Sequence, residues 1–513
     1  MYIEPRTNIR ILKDVPLDKT YDHTIYFNST GAQSSYFITL QKYNLTNYTY
    51  QRVKRGVARV GIVADNLYDC NYMMFQNTSF GNKWFYAFIT SVEYINNECS
   101  EIQFEIDVMQ TWFFDYNFDM CFVEREHAET DNIGDNIIPE NLEVGEYVYN
   151  GYGKLTKLLD PLAVIIMISD EDESNDGTVY DGVYGGCTLF AYNIDDVVSI
   201  KNKINQYLQK PDAIVGMYMC PTVAMGAVIE LGGTKIDYSE TAYTINITGD
   251  SVSSELDLDG YKPKNNKLYT YPYNFLNVST GSTSNVYRYE FFENLIPKFD
   301  IDVPITMPIQ VALRPKNYKG SKDNTLNSES LVLSNYPMCS WNTDAFKAWL
   351  AQNALPIYSA GRHAIGIAGG MLLGTPLSPI AIGATALSIS NLMSQGYKAS
   401  ISADITKGSL SSGNIDVASK KQSFWGGRTS VNKNYAKIID DYFTKYGYAV
   451  KSLKRPNRSS RPHWNYVKTL GCTLTGSIPA DDIKKLCDIY DNGITFWKNG
   501  SEVGNYSLDN SPT

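Results

Sequence analysis

Histidine is scarce in this chain of 513 residues: only His23, His127, His363 and His463 occur, far apart in the sequence. Eight cysteines are present, but none forms a CxxC pair or another metal-ligand spacing. Motifs that bind phosphate, dinucleotides or zinc, and the GxSxG motif of serine hydrolases, are absent as well. Zinc sites and most acid–base catalysis depend on such residues. We therefore expect buried, reduced thiols, no metal, no cofactor and no enzymatic activity.

Positive charge is also in short supply, with 45 Lys and Arg against 55 Asp and Glu and a net charge of −10. Nucleic-acid-binding proteins gain affinity by neutralising phosphates with Lys and Arg. The composition therefore argues against a general nucleic-acid binder, although DNA could slide past an acidic surface. The first residues, MYIEPRTNIRILKD, mix charges from the start and lack the apolar core of a signal peptide. We expect synthesis and assembly in a cytoplasm.

Tyrosine, in contrast, is abundant, with 39 copies, and it is accompanied by many Asn, Thr, Val and Ile residues. This composition is typical of strands that have one face in water. Residues Glu101 to Val108 alternate polar and apolar side chains strictly, which predicts a strand with Ile102, Phe104, Ile106 and Val108 on one face. Long helical patterns are rare. The sequence predicts a mainly β protein with a few short helices.

The length and the shifts in composition predict several structural segments. Strand signals dominate both ends, a mixed β-rich region is inserted after about residue 135, and an apolar loop interrupts the second half of the chain. The expected boundaries are 1–135 for an N-terminal domain, 136–265 for the inserted domain, 266–354 for a returning β segment, 355–415 for the apolar loop and 416–513 for a C-terminal domain.

The apolar loop is the most unusual feature, because Ala364 to Tyr397 contain no charged side chain. Its apolar halves, Ala364 to Leu373 and Ile380 to Met393, are separated by the sequence GTPLSP. A transmembrane helix needs about 20 consecutive apolar residues, and glycine and proline interrupt this run. A hairpin that packs closely and then enters lipid fits the pattern. An αα-hairpin buried inside a large domain fits it equally well.

If the loop enters a membrane, its bulky apolar side chains are the candidates for insertion. They are Ile365, Ile367, Met371, Leu372, Leu373, Leu377, Ile380, Ile382, Leu387, Ile389, Leu392 and Met393. The candidates for the turn between the two halves are Gly374, Pro376 and Pro379.

A basic run near the C-terminus could contact DNA phosphates or lipid head groups. It comprises Lys451, Lys454, Arg455, Arg458, Arg461, His463 and Lys468. A solvated loop, or a loop that contacts another subunit, explains the same run.

Several longer stretches resemble a known family. They are MFQNTSFGNKWFYAFITSVEY from Met74, EIQFEIDVMQTWFFD from Glu101, VEREH from Val123, FTKYGYAVKSLKRPN from Phe443 and IYDNGITFWKNGSEVGNYS from Ile489. They are similar to the tail knob, or distal tail tube, proteins of Picovirinae-type short-tailed phages that infect Gram-positive bacteria. The resemblance covers both ends of the chain, roughly residues 1 to 130 and 430 to 513.

This resemblance implies a homo-hexameric tube of β-barrel-like domains at the tip of a virion tail, assembled in the cytoplasm of the bacterial host. Its partners would be an upper tail or collar protein of the virion, the lipid of the host cytoplasmic membrane, and viral DNA that passes without specific binding. The resemblance also implies that the loop from Leu355 to Gly413 plugs the lumen and then penetrates the membrane.

Other functions fit parts of the sequence. The knob could be an adhesin that binds wall polysaccharide through exposed Tyr and Trp side chains of the inserted domain. A wall-degrading tail enzyme is a further alternative. A free-standing pore-forming toxin is disfavoured, because such toxins normally carry an export signal.

Overall fold

The computed structural model divides the chain into two compact units. The terminal unit comprises Met1–Gly145, Gly260–Thr270 and Asn432–Thr513, and the inserted unit comprises Glu146–Asp259 and Tyr271–Val431. The structure describes residues 6–48, 56–78, 81–169, 188–193, 196–207, 213–225, 232–235, 242–246, 258–281, 283–303, 310–320, 329–333, 336, 338–340 and 423–512. The prediction of a mainly β protein with few helices is confirmed.

The first part of the terminal unit consists of nine strands and two short α-helices among the residues that the structure describes. They are β1 (Thr7–Lys13), β2 (His23–Ile25), α1 (Thr30–Thr39), β3 (Gln41–Tyr48), β4 (Val57–Val60), β5 (Cys70–Asn77), β6 (Phe85–Asn96), β7 (Cys99–Ile106), α2 (Val108–Thr111), β8 (Tyr116–Phe118) and β9 (Cys121–Glu126).

The inserted unit consists mostly of strands. Its elements are β10 (Tyr147–Lys154), β11 (Leu162–Ile168), β12 (Thr188–Asn193), α3 (Val197–Gln206), β13 (Ile214–Pro221), β14 (Gly232–Lys235), β15 (Ala242–Asn246), β16 (Asn274–Ser279), β17 (Ser284–Tyr287), β18 (Lys298–Asp302), β19 (Val311–Pro315), β20 (Leu331–Leu333), β21 (Met338–Ser340) and β22 (Trp425–Val431).

The C-terminal segment returns to the terminal unit with two longer helices. Its elements are α4 (Lys433–Tyr446), β23 (Tyr448–Lys454), β24 (Trp464–Leu470), β25 (Leu474–Gly476), α5 (Ala480–Asn492) and β26 (Ile494–Trp497). Gly447 ends α4 with φ 65°, a left-handed conformation that glycine adopts without steric cost, as the sequence indicates.

The terminal unit contains two main sheets. One has six strands in the order β3-β1-β5-β6-β7-β4, and the other has five in the order β2-β26-β24-β9-β23. The five-stranded sheet pairs β2 with β26 in parallel and β9 with both β23 and β24 in antiparallel register. Strands from the two ends of the sequence thus complete one sheet.

The six-stranded sheet is covered on one face by α1. The ring of Phe37 on α1 is fully buried and stacks on Tyr72 of β5 at 5.3 Å and 7°, and it packs against Tyr86 of β6 at 4.8 Å. Ser29 caps the start of α1, because its side chain accepts a hydrogen bond from the backbone N–H of Ala32. Aromatic packing of this kind anchors the helix to the sheet.

The predicted strand at Glu101 to Val108 is confirmed for most of its length. Ile102 and Phe104 are buried on one face of β7, as the alternation predicts. The prediction is wrong for Val108, which begins α2. The strand ends there because the Asp107 carboxylate accepts hydrogen bonds from the Gln110 N–H at 3.0 Å and the Tyr72 hydroxyl at 2.7 Å, and so caps the helix.

The inserted unit contains three sheets around one apolar core. Their orders are β10-β22-β16-β17, β14-β12-β11-β13-β21 and β15-β18-β19-β20. Every residue of β11 is buried, as a central strand with apolar neighbours on both faces requires. The same core includes Leu276 of β16, Phe299 of β18 and Leu313 of β19.

Replacing Phe37 by Ala should lower the unfolding free energy of the terminal unit by about 3–5 kcal/mol, because the change leaves a cavity between α1 and the sheet. Urea denaturation followed by near-UV circular dichroism measures the effect. The neighbouring Ile38 is 37% exposed, so the control Ile38→Ala should cost much less. Equal losses in the two variants would contradict the packing described.

Candidate functional site

The apolar segment singled out by the sequence, Ala364 to Met393 with its turn residues, lies outside the described residues. The described strands before and after it are β21 and β22, and both belong to the inserted unit. The segment is therefore an insertion within that unit's sequence. Among the helices that the structure describes, none is long and apolar enough to cross a membrane.

The path of the chain depends on a polar junction in the terminal unit, where Gly260–Thr270 returns between the two passages of the inserted unit. Asp440 of α4 is 1% exposed. Its carboxylate accepts hydrogen bonds from the Tyr261 hydroxyl at 2.7 Å, from the Lys264 N–H at 2.8 Å, and from the backbone and side-chain amides of Asn265 at 3.0 and 2.7 Å. Backbone donors held in this way fix the returning segment.

Asp131 secures the other end of the same turn. Its carboxylate accepts from the Asn266 N–H at 3.0 Å and from the Tyr448 hydroxyl at 2.6 Å. Burial raises the pKa of Asp131, and these hydrogen bonds oppose the rise. The junction therefore joins three separate stretches of sequence in one buried network.

A buried ion cluster extends this network. The Glu140 carboxylate pairs with Arg125 and Lys267 and accepts the Ala449 N–H at 3.0 Å. Burial lowers the pKa of Lys267, although the Glu140 charge beside it opposes that effect. Removing any one partner of this buried carboxylate should lower the unfolding free energy, because a buried charge would then lack a partner. No linear pattern marks these carboxylates, since their partners are remote in sequence.

The basic run of the sequence is largely engaged inside the terminal unit. Arg458 lies over the rings of Phe113, Tyr116 and Phe118 at 5.1–5.5 Å. Arg461 is 3% exposed and donates to the backbone oxygens of Ala128 and Asn510.

Other members of the run are paired with carboxylates. Lys454 pairs with Glu126, Lys468 with Glu124 at 2.9 Å, and His463 with Glu502 at 2.9 Å. Lys451 and Arg455 are exposed. The interpretations as a phosphate-binding patch or as a solvated loop are therefore wrong for Arg458 and Arg461, because aromatic rings and backbone oxygens replace their water.

His127 is buried beside this region. Its Nδ1 accepts the Tyr466 N–H at 2.8 Å, so its Nε2 carries the proton and donates to the Thr444 oxygen at 3.1 Å. Burial, followed by the charge of Arg461, lowers the pKa of His127 to about 3. The imidazole is therefore neutral through the whole physiological range, and it links β9, β24 and the end of α4.

A groove of about 1020 Å³ lies on the terminal unit, next to the six-stranded sheet. Its lining combines the aromatic rings of Phe75, Phe85 and Phe104 with the charges of Glu105 and Lys485. Among the described residues that line it, none is a histidine or a cysteine. The structure describes no group of three or more His, Cys, Asp or Glu side chains, within the parts of the chain it covers, that could hold a metal ion.

Two families match the sequence. The family described as Bacillus phage phi29, Tail knob protein gp9, C-terminal domain, matches residues 237–511. The family described as Caudoviral major tail protein N-terminus matches residues 5–117.

Individual relatives match nearly the whole chain. The Tail knob protein gp9 of Bacillus phage phi29 is 25% identical over 98% of both chains, and that of Bacillus phage B103 is 25% identical with the same coverage. The solved structure of the bacteriophage C1 tail knob protein, gp12, has a TM-score of 0.62 and 15% identity, covering 98% of this chain and 99% of that one. At this identity the structural likeness shows the fold.

Replacing Asp440 by Ala should detach Gly260–Thr270, because several buried donors lose their acceptor together. We expect a loss of about 3–5 kcal/mol in the unfolding free energy of the terminal unit, measured by urea denaturation. Limited proteolysis should cut the variant near Tyr261. The matched control is Asp441→Ala at the exposed neighbouring position, which should stay within about 0.5 kcal/mol of the parent. A protease-resistant Asp440→Ala protein would contradict the assigned role.

Replacing His127 by Gln should remove part of the acid sensitivity of the protein. Below pH 6.5 the unfolded chain protonates His127 while the native state does not, so native stability falls as the pH falls from 6.5 towards 3. His127 changes the unfolding free energy by at most about 1.4 kcal/mol per pH unit. Urea denaturation between pH 4 and 7.5 should show a shallower slope in His127→Gln than in the parent. Identical slopes would mean that His127 titrates normally in the native state.

Proposed function

This chain belongs to the phage tail knob family described by the phi29 gp9 C-terminal domain, and from that premise we propose that it forms the tube through which the viral genome leaves the virion. It is a structural protein of the virion tail and is associated there with other tail proteins. In the proposal, six copies form a conduit below an upper tail or collar protein. The loop of residues 355–415 plugs the lumen and then penetrates the host cytoplasmic membrane.

The observation that carries the proposal is the uncharged run Ala364 to Tyr397 in a protein with a net charge of −10. Side chains such as Leu373 and Ile380 contribute about 1.5–3 kcal/mol each when they leave water, and six copies multiply the gain. Gathered inside a tube, the loops can bury these side chains against one another before release. In lipid, their backbone groups need internal hydrogen bonds, which a helical hairpin or a ring of hairpins supplies.

The described structure supports a separation of roles. Strands from both ends of the chain complete one sheet of the terminal unit, while the strands on either side of the apolar segment belong to the inserted unit. In the proposal, the terminal unit of Met1–Gly145, Gly260–Thr270 and Asn432–Thr513 builds the tube wall, and the inserted unit of Glu146–Asp259 and Tyr271–Val431 carries the apolar loop. An acidic wall suits a DNA conduit, because it would not hold the genome by its phosphates.

Replacing Leu373 by Asp should weaken dye release from liposomes severalfold, because a charge in the apolar loop opposes entry into lipid. Deletion of residues 355–397 should abolish release while the oligomer, measured by light scattering, keeps its mass. Ile438 is 65% exposed on α4, outside the loop, so Ile438→Asp is the matched control and should leave release intact.

Release that survives the deletion would assign membrane activity to another part of the protein. Absence of release from the parent, at neutral and at acidic pH, would make the loop a plug or core element only. A parent protein that remains monomeric would count against the conduit itself.

A further inference from the structure

The sheet β10-β22-β16-β17 of the inserted unit has faces of contrasting character. Leu276, Val278 and Tyr287 are fully buried on its inner face, within the apolar core. On the outer face, Tyr149 and Tyr152 of β10 are each 58% exposed. The outer face thus presents large aromatic side chains to solvent, which marks a candidate contact surface.

A β-bulge in β10 places these tyrosines together. Tyr149 pairs with Thr429 and Tyr152 pairs with Gly427, although three positions separate the tyrosines and only two separate their partners. In a regular strand, residues three positions apart point to opposite faces. The bulge therefore turns both to the outer face, as bulges commonly do where a side chain must be redirected.

The rings are held in place by their neighbours. Tyr152 stacks on Trp425 of β22 at 5.8 Å and 13°, and Tyr149 meets Tyr152 edge-on at 5.8 Å. Both rings cover Gly427, where a Cβ atom would come within 2.7 Å of Tyr149. A side chain at that position would displace them. Because the rings are already ordered, a ligand that stacks on them costs little conformational entropy.

The strands that form this surface contain no acidic side chain. The four strands, with sequences YVYNGYGK, NFLNVS, SNVY and WGGRTSV, contain no Asp or Glu, although the chain has 55 of them. The Arg428 side chain is buried, and Lys154 pairs with Asp160. Apart from the Lys154–Asp160 ion pair beside Trp425, the outer face therefore offers rings, hydroxyls and amides.

Asn277 of β16 adds a polar group beside the rings. Its side-chain amide donates to the Tyr149 hydroxyl at 3.2 Å. Its Oδ1 has no hydrogen-bond partner among the residues that the structure describes. That oxygen is buried, so Asn277 acts by orienting the Tyr149 phenol, and the exposed side chains of Tyr149 and Tyr152 are the groups that a ligand meets.

We propose that this outer face, formed by Tyr149, Tyr152, Trp425 and Asn277, binds a neutral polysaccharide chain. The apolar C–H faces of sugar rings pack on aromatic rings, while their hydroxyls bond to phenol and amide groups such as these. The eight residues of β10 extend about 25 Å, enough for a short run of sugars. The proposal does not rest on the membrane-penetrating loop. It gives the knob a wall-binding function in addition to that of a conduit.

The test is calorimetric titration of the full-length protein with dextran, mannan and an N-acetylglucosamine hexamer, and with poly(glycerol phosphate) as an anionic comparison. We expect at least one neutral saccharide to bind and the anionic polymer not to bind. Tyr149→Ala and Tyr152→Ala should each weaken that binding at least tenfold, whereas Tyr152→Phe should keep most of it because the ring remains.

The matched control is Tyr68→Ala in the terminal unit, since Tyr68 is 63% exposed and should not affect binding. Near-UV circular dichroism checks that each variant is folded. Failure of all three neutral saccharides to bind, or binding of the anionic polymer alone, would overturn the proposal. So would a loss of oligomer mass in Tyr149→Ala without any effect on saccharide binding, because the face would then be a contact between copies.

Discussion

The buried carboxylates of Asp440, Asp131 and Glu140 are the constraint on which the path of this chain depends. Together they hold Gly260–Thr270, the short segment that returns to the terminal unit between the two passages of the inserted unit. Burying a carboxylate is costly unless its oxygens are satisfied, and here backbone N–H groups, amides, phenols and cations satisfy them. The cost makes the arrangement specific, because any other register of the segment would leave charges buried without partners.

Because this segment is held in place, the terminal unit and the inserted unit can serve different purposes within one chain. The terminal unit is closed by strands from both ends of the sequence and is packed with aromatic rings such as Phe37, Tyr72 and Tyr86. The inserted unit can then carry a long apolar insertion between β21 and β22 without interrupting the core of the terminal unit. Such an insertion is tolerated because closing a longer loop adds little entropic cost.

Tyrosine, the residue that the composition emphasises, serves different purposes in different places. Buried tyrosines such as Tyr448 and Tyr490 hydrogen-bond to carboxylates or to other phenols, and burial raises the pKa of each. The tyrosines on the outer face of β10 keep their rings in solvent, on a sheet whose strands contain no Asp or Glu. The same side chain therefore acts as a polar anchor in the core and as a stacking surface outside it.

The sequence by itself determined the features that depend on neighbouring residues. Period-two alternation located β7, the glycine at 447 located the end of α4, and the uncharged run located the apolar segment. Longer stretches of sequence identified the family.

The tertiary structure alone decided the features that depend on residues far away in the sequence. Asp440 hydrogen-bonds to partners about 175 positions away in the sequence. In the basic run, Arg461 is buried and Arg458 lies over aromatic rings. A bulge, invisible in the alternation of β10, placed Tyr149 and Tyr152 on one face. The local periodicity of polar and apolar residues indicates which face of a strand or helix each side chain occupies. Whether that side chain is buried, and which group it pairs with, depends on the distant residues that the fold brings against it.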